Sequence, residues 1–211
     1  MKTYNDITKW VPLLFICLGF AACGKDDIGK KQVGDSSLSM KINGEHWGTT
    51  INTLFTEAHG SSELGEYFLV LVGGQRIGVD DSEDDVSAFN MYIAIPKSKF
   101  NNPKGSYTIM KESEAKVGQA TAHFSVNTGS GQTWYASYHP ASPTQAGGTV
   151  EITGFEIGEQ RVLGQPTGVE GYTKLSGTFR MDLYAVQENP GAPLKVTEGK
   201  FNLKSGMGFD F

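Results

Sequence analysis

Leu38 to Gly48 reads LSMKINGEHWG, and the fold is decided here. Leu38, Met40 and Ile42 alternate with Ser39, Lys41 and Asn43, the two-residue period of a strand with one face in a core. Asn43-Gly44 then supplies the dipeptide that tolerates two successive positive φ angles, as a type I′ hairpin turn requires. In that register Met40 faces Trp47 across the pair, so Trp47 is expected as a core plug rather than a ligand platform.

Working outward, the same period recurs. Strands are expected at Tyr67 to Val72 and Gln75 to Val79, meeting at Gly73-Gly74, and at Val86 to Ile95, where Phe89, Met91, Ile93 and Ile95 share a face. Beyond a loop from Pro96 to Gly105 come Ser106 to Met110, Thr121 to Val126, Gln132 to Tyr138, Thr149 to Ile157, Lys174 to Val186 and Leu194 to Leu203. No stretch carries a capped 3.6-residue apolar stripe, and Ser61 to Gly65 and Lys111 to Val117 have room for a helical turn at most. The expected fold is all-β, an antiparallel β-sandwich or closed β-barrel of roughly ten strands, because strands without helical crossovers must cover one another's apolar faces. The 27 glycines among 211 residues agree with many tight turns.

Upstream, the chain carries an address. Val11 to Phe20 (VPLLFICLGF) is an apolar run too short to span a bilayer, and it ends in Ala21-Ala22 before Cys23. Phe20-Ala21-Ala22-Cys23 resembles the lipobox of bacterial lipoproteins, with Phe20 where Leu is usual, and implies diacylglycerol on the Cys23 thiol. The other cysteine, Cys17, lies in the segment that would be removed, so no disulfide is expected. Residues 1–22 are thus expected as a signal peptide and 23–37 as lipidated cysteine and flexible tether, leaving 38–211 as a single all-β domain. Lys25-Asp26-Asp27, directly behind the lipid, resembles the export signal of Bacteroidota surface lipoproteins. It implies lipid anchorage in the outer membrane, displayed on the cell surface.

A wider resemblance covers most of the domain. The Asn-Gly-x-x-Trp hairpin, Pro103 to Ile109 (PKGSYTI), Gly148 to Gly154 (GTVEITG), Leu175 to Met181 (LSGTFRM) and Val196 to Asn202 (VTEGKFN) are similar to consecutive blocks of uncharacterised Bacteroidota lipoprotein domains. The resemblance implies an all-β surface lipoprotein and carries over no catalytic residues.

Other motifs fall short of the chemistry they imitate. A net charge of -5 with no basic cluster excludes a nucleic-acid footprint. Gly19 to Lys25 matches most of a phosphate-binding loop but lacks the following Ser or Thr and follows no strand. Ser113-x-x-Lys116 lacks the partner motifs of penicillin-binding enzymes, and no Gly-x-Ser-x-Gly elbow occurs. His46, His59, His123 and His139 are scattered, without zinc-ligand spacing. Asp81-x-Glu83-x-Asp85 imitates the start of a calcium loop, yet Val86 stands where Gly is required and Tyr92 where Glu is required, so a solvated acidic loop is the favoured account. No cofactor is expected.

The expected function is a non-catalytic binding or interaction module for carbohydrate or protein, held at the membrane by its lipid. The alternatives are a surface hydrolase acting on glycans or peptides through convergent carboxylates, and a calycin-like barrel around an apolar ligand. For a ligand site, Gln132 to Pro140 (QTWYASYHP) offers Trp134, Tyr135, Tyr138 and His139. Alternation puts Trp134 and Tyr138 on one face of a strand and Tyr135 on the other, leaving open which face is core. Contact through Tyr135 or His139 is expected, since loops at strand ends carry recognition on rigid β scaffolds.

Overall fold

A computed structural model describes residues 36–61, 65–77, 86–111, 116–128, 131–137, 146–162, 165–186 and 191–209. The opening hairpin pairs β1 (Ser37–Ile42) with β2 (Glu45–Gly48), Met40 opposite Trp47. Asn43 and Gly44 have φ of 51° and 90°, the positive pair that a type I′ turn needs. Trp47 is 5% exposed, so the core role expected of it holds.

The chain continues through β3 (Ile51–Ser61), β4 (Gly65–Ile77), β5 (Val86–Pro96), a 3₁₀ turn at Lys97–Lys99, β6 (Gly105–Ile109) and β7 (Gln119–Thr128). It ends with β8 (Gly131–Ala136), β9 (Gly148–Val162), β10 (Gln165–Ala185), β11 (Leu194–Lys204) and β12 (Gly206–Phe209). These twelve strands form one sheet in the order β12-β3-β4-β5-β7-β6-β9-β10-β11-β1-β2, with β8 paired to both β7 and β10. The all-β expectation therefore stands. Every pairing is antiparallel except β6 with β7, a short parallel contact at Thr108–Gln119 and Ile109–Ala120.

One local expectation is corrected, and two strands are added. Gly73-Gly74 is no turn, because β4 runs straight through it. A Cβ on Gly73 would lie 2.5 Å from Asn90 Oδ1, and one on Gly74 would lie 2.7 Å from the Ile51 carbonyl, so both glycines permit close approach. Residues 51–61 and 206–209 form the unforeseen strands β3 and β12, which pair with each other.

The sheet curls around a shared interior. Trp47 near one edge donates its indole N–H to Ser87 of β5 at 2.8 Å and packs edge-on against Phe89 and Phe124. Phe89 stacks on Phe179, which packs beside Phe201, so side chains of β2, β5, β7, β10 and β11 fill one interior. Towards the other end Phe68, Phe100, Tyr172 and Phe155 form an aromatic chain, with the Tyr172 hydroxyl donating to the Phe100 carbonyl at 2.8 Å.

Between β3 and the β9–β10 hairpin the seam is made by two side chains, Gln160 and Thr56. Gln160 is 0% exposed, accepts from Thr56 N–H at 2.7 Å and donates to Thr56 C=O at 2.8 Å, as a neighbouring strand would. Thr56 Oγ1 accepts from Tyr172 N–H. A Cβ on Gly171 would sit 2.5 Å from the Gln160 amide carbon, so glycine there makes room for the latch.

The gap between β7 and β10 is filled by β8 at one level and by β6 plus β9 at the other, a fork in the sheet. Ser137, buried at the fork, accepts from Ala122 N–H at 3.0 Å and donates to the Met110 carbonyl at 2.8 Å. The hydroxyl thus satisfies backbone groups where the strands part.

Candidate functional site

Alternation along each strand divides the molecule into inner and outer faces, and the outer face differs sharply between its two halves. On β1, β9, β10 and β11 the outward positions carry Lys41, Lys174, Arg180, Lys195, Lys200 and Lys204 with Glu151, Glu156, Asp182 and Glu198. Lys41 bonds Glu198 at 2.7 Å and holds that carboxyl below its ordinary value, through the hydrogen bond first and charge second. This half is an ordinary solvated surface.

The outward positions of β3, β4, β5, β7 and β8 carry no Lys or Arg among the described residues, and Glu57 is their one carboxylate. The ladder aligns them in rows across the strands. One row is Ile51, Gln75, Ala88, Ser125 and Trp134, with Val186 beyond, whose N–H donates to the Trp134 carbonyl at 2.8 Å. The next is Thr53, Gly73, Asn90, His123, Ala136 and Tyr184. Phe55, Leu71, Tyr92 and Thr121 form a third. On the other side of the Trp134 row lie Val86, Asn127 and Gln132.

Trp134 is 41% exposed and Val186 63%, two of the large apolar side chains left open to solvent. His123 meets Tyr92 edge-on at 6.4 Å. The Tyr184 hydroxyl is held above its ordinary value by burial and then by Asp182. The face can offer aromatic and apolar surface together with neutral amides, hydroxyls and imidazole.

The strand carrying Trp134 takes the second of the two arrangements left open by its sequence. Trp134 points out, whereas Tyr135 points in, half-buried against the core and 6.2 Å from Phe124. Tyr138 and His139 lie outside the described residues, as do Cys23 and the acidic Asp81, Glu83 and Asp85. Among the described residues no three His, Cys, Asp or Glu side chains converge for a metal. His46 is exposed on β2, while His59 stacks on Tyr67 at 5.4 Å.

A shallow groove of about 340 Å³ lies at the end of the sheet by the β1–β2 turn. It is lined by Ile42, Asn43, Glu45, His46, Trp47 and Arg76. Its tryptophan is buried and already donates to Ser87, so the groove offers charges but no open aromatic surface. Asn90 and Gln75, which the sequence left unremarked, gain their place on the uncharged face from cross-strand register, a relation no local motif records. No protein-family model matches this chain, and neither a curated protein nor a solved structure does.

Proposed function

We propose that this protein is a membrane-tethered, non-catalytic module that binds carbohydrate on the outer face of β3, β4, β5, β7 and β8. The observation that carries this is exposed Trp134 set within an uncharged surface of amides and hydroxyls. A sugar ring presents apolar C–H faces that stack on an aromatic ring, and hydroxyls that pair with neutral donors and acceptors. Gln75, Asn90, His123, Asn127 and Gln132 supply such groups on the same face. The interior supports an external site, since Phe89, Tyr107, Tyr172 and Phe179 fill it with side chains.

The tether follows from Phe20-Ala21-Ala22-Cys23 and Lys25-Asp26-Asp27, which support lipidation at Cys23 and display on the outer membrane surface. Changing Cys23 to Ser should move the protein from the membrane fraction to the soluble one, and retention would refute the anchor. That soluble full-length variant can then be passed over immobilised polysaccharides of different composition. Capture by at least one, lost on Trp134→Ala with the thermal midpoint unmoved, is the expected result. Capture of none, or capture indifferent to Trp134, would overturn the proposal.

A further inference from the structure

The rows also say what kind of carbohydrate fits. Resting on the binding face proposed above, we infer that its ligand is an uncharged, extended β-linked polysaccharide lying across the strands along the row from Trp134 to Gln75.

Charge comes first. A uronate or sulfate brought onto this face would lose water and find no Lys or Arg among the described outward positions of the five strands. A neutral chain meets no such cost, and amides of Gln75, Asn90 and Gln132 can each both donate and accept, as hydroxyl groups require.

Shape comes second. Between Trp134 and Gln75 the row holds Ser125 and Ala88, both small, so the path between its two large ends is low. Ser125 is 8% exposed although it points outward, which makes the floor close-packed rather than wet. Asn90 borders that floor on one side, its amide carried over Gly73, where a Cβ would collide with it. Asn127 and Gln132 border it on the other.

Length comes third. Three strand spacings separate Gln75 from Trp134, roughly 14 Å at about 4.8 Å each. An extended β-linked hexose chain advances by close to one strand spacing per unit, so successive sugars meet successive strands. A coiled α-linked chain bends away from a straight row after its first contacts.

The test uses the full-length Cys23→Ser protein and titration calorimetry with β-1,4-linked glucose and mannose oligomers of two, four and six units. Alpha-1,4-linked glucose oligomers and oligogalacturonates of equal length serve as controls. Affinity for at least one β-linked series should rise from two to four units and then level off, with both controls weaker. Gln75→Ala removes one or two hydrogen bonds at the far end, so it should weaken four-unit binding about five- to tenfold and leave two-unit binding unchanged. Affinity independent of length, preference for the coiled or charged oligomers, or a Gln75→Ala effect equal at all lengths would overturn the inference. If polysaccharide capture still depends on Trp134 in that case, the binding face stands and only its assigned ligand falls.

Discussion

Replacing Gln160 tests how much its side chain contributes to the seam of the sheet. Its amide satisfies both the N–H and the C=O of Thr56, and the residue is fully buried. Gln160→Leu keeps much of the volume and leaves both backbone groups without partners, at about 1–3 kcal/mol each. The expected loss is therefore about 2–6 kcal/mol, a large share of a stability of order 5–15 kcal/mol. Gln160→Glu sharpens the test. A carboxylate can accept from Thr56 N–H, but its second oxygen then faces the Thr56 carbonyl; protonation restores a donor there. The folded pKa of the introduced carboxyl would thus be raised above the unfolded value of about 4.3. Its stabilising contribution is complete below that value and is lost as pH rises through the folded pKa, at up to about 1.4 kcal/mol per pH unit. Urea unfolding of parent and both variants from pH 4 to 8 reads this directly. A Gln160→Leu loss under about 0.5 kcal/mol, with Gln160→Glu tracking the parent across pH, would refute the latch.

Trp47→Ala should cost about 3–5 kcal/mol in chemical denaturation, since the indole packs against Phe89 and Phe124 and its N–H bonds Ser87. A loss below about 1 kcal/mol would show that the strands close without it. Ser137→Ala should cost about 2–6 kcal/mol by the same assay, because it strips the Ala122 N–H and Met110 C=O of a buried partner. Tyr172 is held above the ordinary tyrosine value by burial and then by Tyr107, so the folded state keeps its proton where the unfolded chain has lost it. Stability should fall as pH rises past about 10, and Tyr172→Phe should flatten that fall while costing about 1 kcal/mol at pH 8.

How much of this was legible in the chain depended on whether the cause was local. The first hairpin was readable because alternation and Asn43-Gly44 act within eleven residues. Gly73-Gly74 misled because glycine serves both turns and close backbone approach, and only the position of Asn90 and the Ile51 carbonyl decides between them. β3 was invisible because both faces mix polar and apolar groups, with Leu54 and Thr56 inward and Ile51 and Phe55 outward, which erases the two-residue period. Gln160 sits in Glu-Gln-Arg, a sequence that looks solvent-exposed, and its partner is 104 residues away. Adjacent Trp134 and Tyr135 are both aromatic, so alternation placed them on opposite faces without saying which was the core.

The placement of β1 bears on how the molecule is born. Ser37 pairs with Asn202 and Leu38 with Phe201, so the first strand lies beside nearly the last one. For any chain delivered N-terminus first, from a ribosome or through a translocation channel, the opening hairpin emerges with one flank bare. It waits for β11. Contacts of such long sequence separation carry the loop-closure entropy that slows folding. Leu38 and Met40 therefore lack their β11 neighbours Val196 and Phe201 until almost the whole chain has followed, while the β3–β4–β5 and β9–β10 hairpins in between need no such wait.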